Sequence, residues 1–168
     1  MNQNAEMEYI NSLLDSEDSS IPVFDRHQGE ESKGSTVVDN SQGNMYQLLS
    51  VSAFNVAIPV IEQMCIINCE KSNFSDNDLF HEGNNYHIVD VSSLINPSSL
   101  ESTTGQYVLL EKRGLALLCD EILEKRMIDR ETICWRNEDS QRKWLAGTVK
   151  KDNIILLDIR SLQDELNT

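Results

Sequence analysis

From Met45 onward the chain is a succession of short apolar runs, MYQLLSVS, FNVAIPV, EQMCIIN, YHIVDV, QYVLLEK, GLALLCDEI, WLAGTVK and IILLDI, each cut off by turn-forming or charged residues. Runs of this length with such punctuation read as strands. Several are close enough to form hairpins, and EKRG (111–114) and KKDN (150–153) are the clearest tight turns. Pro59 belongs at a strand edge or bulge, because proline cannot donate to a central ladder. The expectation for residues 45–168 is an antiparallel, mainly β domain of barrel type.

Residues 1–44 are different. Asp15 to Asn44 is rich in Ser, Asp, Glu, Gln, Asn and Gly, with only isolated apolar residues. It cannot bury enough apolar surface to offset the entropy of ordering, so a disordered linker is expected. Ahead of it, AEMEYINSLLD spaces Met7, Ile10 and Leu14 at helical intervals with Leu13 beside them. Alone, so short a helix is marginal in water. Two readings stand: a frayed tail, or a segment at 5–15 that folds into a partner's groove.

The formal net charge is −14. An acidic surface repels phosphate backbones and anionic lipid, which makes nucleic acid and membrane poor partners. Roughly half of that charge precedes Met45, so the folded part is less acidic than the total implies. No apolar stretch approaches the length of a membrane span, and the N-terminus lacks the pattern of a secretory signal. The cysteines at 65, 69, 119 and 134 are therefore expected as reduced thiols in the cytoplasm.

Catalytic motifs are missing. The seven glycines are scattered, with no phosphate loop, no GxSxG elbow and no HExxH. Cys65, Cys69, His81 and His87 raise the question of zinc. An extended 65–69 would hold its two sulfurs roughly 13 Å apart, too far for one tetrahedral ion. No metal or other cofactor is expected. The rival reading, a small β-barrel enzyme or ligand-binding protein, would rest on His81, His87 and Asp120. Asp120, Glu121 and Glu124 read more simply as a solvated strand edge followed by a turn.

Two features remain. HIVDVSSLI (87–95) and ILLDIRSLQ (155–163) share a pattern in which an apolar strand ends in aspartate and a short helix begins. Asp90 and Asp158 are expected to cap those helices, and the repetition implies two similar subdomains packed together. The second feature is WRNEDSQRKWLAG (135–147), in which two tryptophans flank a polar connection. Either Trp135 and Trp144 plug the barrels, or one is exposed as a binding hot spot. Trp144, with Leu145, Arg142 and Lys143 beside it, is the first candidate for partner contact, and Trp135 the second.

VLLEKRGLALLCDEI, WLAGTV and IILLDIRSL, in that order and spacing, resemble the second half of a CheW-like domain, and YHIVDVSSL is similar to the strand ending of that family's first subdomain. ICWRNEDSQRKWLAGTVKK and HEGNNYHIVD resemble more particularly the branch formed by the C-terminal CheW-like domains of ParP proteins. EYINSLLD is similar to the helical segment preceding the acidic linker in that branch. The resemblance implies two packed SH3-like five-stranded β-barrels with short helices, and no catalytic residues. It also implies an adaptor role in chemotaxis, with a CheA-type histidine kinase and chemoreceptors as partners and a ParC-like polar protein engaged through residues 5–15. FHEGNNYHIVDV lacks the family's N-L-R-G-type loop, and the segment from Ile67 to Tyr86 is compressed. The first barrel is thus expected to lack part of the family's contact surface.

Overall fold

The computed structural model describes residues 8, 9, 12, 43–60, 64–70, 77–98 and 104–166. The expectations placed on Met7, Ile10, Leu13, Leu14 and the acidic linker lie outside the described residues. In chain order the strands and helices of the domain are β1 (Asn44–Val51), β2 (Phe54–Pro59), β3 (Met64–Glu70), β4 (Asp78–His81), β5 (Asn84–Asp90), α1 (Val91–Ile95), β6 (Thr104–Leu110), β7 (Leu115–Cys119), β8 (Glu121–Ile128), β9 (Cys134–Trp135), β10 (Leu145–Val149), β11 (Ile154–Leu157) and α2 (Ile159–Leu166).

The unbroken apolar character of several runs has a direct cause: their strands are buried on both faces. All five residues of β7 are buried. Leu115, Leu117 and Cys119 point into one core, while Ala116 and Leu118 point into another. In β11 the same alternation sends Ile155 and Leu157 one way and Ile154 and Leu156 the other. A strand with period-two geometry thus separates two apolar compartments.

Three compartments result. One lies within a six-stranded sheet of order β8-β1-β2-β11-β10-β9, and another within a five-stranded sheet of order β3-β6-β7-β5-β4. The third and largest lies between them, where Leu49, Val56 and Ile58 of one sheet meet Val108, Leu110 and Leu117 of the other. Both sheets curl, giving the expected pair of packed barrel-like units. One unit carries a sixth strand, the two-residue β9.

The five-stranded sheet is contiguous in sequence, whereas the six-stranded one combines β1 and β2 with β8 to β11. Position by position, β3, β6, β7, β5 and β4 correspond to β8, β1, β2, β11 and β10. The two halves therefore share one arrangement with a permuted chain order. In each, the strand before a helix pairs in parallel, β5 with β7 and β11 with β2. This corrects the expectation of a wholly antiparallel domain.

Local chemistry explains the joints. The turns at 111–113 and 150–152 are short 3₁₀ segments ended by Gly114 (φ 62°) and Asn153 (φ 56°). Glycine and asparagine are the residues that enter the left-handed region most readily. Asp90 accepts from the backbone N–H of Ser92 (2.9 Å) and Ser93 (3.4 Å) at the start of α1. Asp158 accepts from the N–H of Ser161 at 3.0 Å at the start of α2. Each carboxylate also accepts a serine hydroxyl, from Ser93 and Ser161 respectively.

GLALLCDEI, expected as one strand, is cut at Asp120 into β7 and β8, which belong to different sheets. The chain crosses there because Asp120 is tied to the β1–β2 turn. Its N–H donates to Ser50 O at 3.0 Å, and its carboxylate accepts from the N–H of Ser52. Pro59 ends the central strand β2 rather than lying on an edge strand. It is tolerated there because the pairing of β11 with β2 stops at Ala57.

Candidate interaction groove at Trp135

The polar connection between the tryptophans is a set of tight turns. Ser140 N donates to Asn137 O, Lys143 N to Gln141 O and Leu145 N to Arg142 O, each at 3.1 Å. This folds the connection back so that β9 pairs antiparallel with β10, Gly147 opposite Trp135. The pairing needs glycine. A Cβ on Gly147 would stand 2.7 Å from Cys134 O and 3.0 Å from Ile133 Cγ2.

The two indoles consequently have opposite fates. Trp135 is 49% exposed, whereas Trp144 is 7% exposed and packs in the core between the sheets. The Trp144 backbone is fixed as well, its carbonyl accepting from Asp158 N at 2.7 Å. Leu145 is fully buried. Trp144 and Leu145, expected at a partner contact, are therefore core residues, and the exposed indole is Trp135. Lys143 is exposed and Arg142 half-buried on the intervening turn.

Trp135 stands at the side of a groove of about 230 Å³ where the two sheets and α2 meet. Tyr46, Ile58, Leu110 and Leu156 contribute apolar surface, and Arg113, Asp158 and Arg160 contribute polar groups. Arg113 is held in place: its Nη1 donates to Gln163 Oε1 at 3.1 Å, and its carbonyl accepts from Gln163 Nε2 at 3.0 Å. That reciprocal pair pins α2 to the β6–β7 turn across the junction of the two sheets. Asp158 is committed to the helix start. Among the described residues that line it, the groove offers apolar area, a large aromatic and two guanidinium groups, and no nucleophile or acid–base pair.

The residues of the enzyme reading do not converge. His81 Nε2 is 3.9 Å from Glu82, and His87 Nδ1 is 3.4 Å from Asp78 across the β4–β5 pair. Asp120 is engaged at the β1–β2 turn. His87 lies beside Leu115, five residues along β7 from Asp120, a separation on the order of 16 Å. Glu121 and Glu124 are exposed on β8. Cys65 lies on the extended β3. Among the described residues, no group of three or more His, Cys, Asp or Glu is placed to hold a metal ion. Burial, reinforced by the adjacent Asp120, pushes the Cys119 thiol up to about 12.

No family model matches the chain, and no curated protein matches it in sequence. Among solved structures it is similar to the scaffolding protein TtCheW from Thermoanaerobacter tengcongensis, at a TM-score of 0.52 and 11% identity, over 70% of this chain and 90% of that one. The fold is CheW-like. Within it, Trp135 and the groove lie at the junction of the two halves. Sequence reasoning singled out Trp135 but not the groove. Its floor is assembled from β1, β2, β6 and β11, and no local pattern announces that meeting. Among the described residues, no helix is long and apolar enough to cross a membrane.

Proposed function

We propose that this protein is a noncatalytic adaptor of a chemotaxis signalling assembly in the cytoplasm, and that it engages its partner through the groove at Trp135. The observation that carries this reading is the CheW-like fold with both sheet interiors filled by their own side chains, which leaves outer surfaces for work. The partners that fit are a CheA-type histidine kinase or a chemoreceptor, presenting apolar side chains flanked by acidic groups to Trp135, Arg113 and Arg160. In the finer reading the chain is ParP-like. Residues 5–15, carrying Met7, Ile10, Leu13 and Leu14, connect it to a ParC-like protein and hold the array at a cell pole.

The test is co-purification of the full chain with the CheA-type kinase and the receptor tips of the same cell, followed by titration. Trp135→Ala is expected to weaken the productive pair by about 30-fold, the effect of losing a hot spot worth about 2 kcal/mol, with thermal stability unchanged. Failure of the wild-type chain to bind either protein overturns the adaptor reading. Undiminished binding by Trp135→Ala overturns the groove assignment.

A further inference from the structure

Glu8, Tyr9 and Ser12 are helical, and Ser12 Oγ donates to Tyr9 O at 2.7 Å. Tyr9 is half-buried against the folded domain. Its ring packs on the core between the sheets and lies 5.5 Å, centroid to centroid, from the ring of Phe54 at an interplanar angle of 38°. Its hydroxyl donates to the carbonyl of Ile95 at the C-terminal end of α1. The last carbonyls of any helix have no partner within it, so this acceptor is one that an outside donor must satisfy. Tilted aromatic pairs at this separation are favourable beyond the area they bury.

We infer that the notch between Phe54 and the end of α1 is a docking site for this chain's own N-terminal segment, with Tyr9 as the anchor. The occupant is the segment of the same molecule rather than a second copy. Covalent attachment through residues 13–42 keeps it at an effective concentration on the order of millimolar, above what a free second chain reaches in dilute solution. Docking also removes the main obstacle to helix formation in so short a segment, because the nucleating turn is held from outside. In the sequence, helical spacing sets Tyr9 roughly 120° from the stripe of Met7, Ile10 and Leu14. The anchor is thus a residue distinct from the stripe proposed for a separate partner. The docking is independent of the groove at Trp135, so neither proposal stands or falls with the other.

Amide hydrogen exchange and NMR on the full chain test this. Residues 8–12 are expected to exchange at least tenfold more slowly than an unstructured peptide of the same sequence, with nuclear Overhauser contacts between the rings of Tyr9 and Phe54. Tyr9→Ala and Phe54→Ala, changed on opposite sides of the contact, should each abolish that protection while leaving the exchange of β7 and β11 unchanged. Tyr9→Phe should retain the ring contact with reduced protection. Unprotected exchange of residues 8–12 in the wild-type chain overturns the proposal. Protection that rises with protein concentration overturns it in favour of exchange between copies.

Discussion

Cys119 and Cys134 stand in opposite surroundings although both are thiols at strand positions. Cys119 is buried and its Sγ donates to Gln106 O at 3.4 Å, while Cys134 is exposed on β9. At pH 8, iodoacetamide should modify Cys134 in the native protein and reach Cys119 only after unfolding, as read by mass spectrometry. The thiol of Cys119 moves from its ordinary 9.0 to about 12 on folding, through burial first and Asp120 second. Between those values the unfolded chain loses the proton that the folded chain keeps. This contribution to stability is therefore complete below about pH 9 and is lost as pH rises toward 12. Cys119→Ala should flatten that part of the stability-versus-pH curve in urea titrations. The two tryptophans differ in the same way, Trp144 buried and Trp135 exposed. Trp144→Ala opens a cavity in the central core and should cost about 3–5 kcal/mol, measurable as a lowered urea midpoint. Trp135→Ala should leave the midpoint close to wild type. The sequence presents both indoles beside polar residues, and nothing local separates them. The difference arises from the Gly147–Trp135 pairing and from the anchoring of Trp144 O by Asp158.

At the scale of elements, the two strand-to-helix joints behave as equivalent units. Asp90→Ala and Asp158→Ala should each destabilise the fold by about 1 kcal/mol, seen as a drop in melting temperature, and Asn at either position should recover most of it. Loss of either cap with no change in melting would contradict the hydrogen bonds described above. These joints were readable because capping is local: the aspartate, the serine and the helix start lie within a few residues. β6, β7 and β11 were readable for a related reason, since burial on both faces writes an unbroken apolar run. β4 is not legible in the sequence, because DLFH is short and has one buried apolar residue, Leu79, beside an exposed Phe80. The break at Asp120 was equally hidden, since the β1–β2 turn that holds it lies far away in the chain.

The whole molecule has its largest core between the two sheets rather than inside either one. Residues of β1, β2 and β11 share it with residues of β6 and β7, and Trp144 and Leu162 pack in it too. Neither half can lose its fold without exposing that shared surface, so the domain should unfold in one transition. Calorimetry should give equal calorimetric and van't Hoff enthalpies for residues 43–166. Two separated transitions would mean that the halves are independent.

The paired units were legible in the repeated strand-to-helix ending, but the permuted chain order was not, because it is a property of pairing between distant segments. That order bears on how the protein forms during synthesis. All strands of the five-stranded sheet emerge from the ribosome as one block, while Asn55 finds its parallel neighbour only when Ile154 has been made. β1 and β2 must therefore be carried as an incomplete edge until the last strand arrives. The nascent chain is most prone to aggregation in that interval.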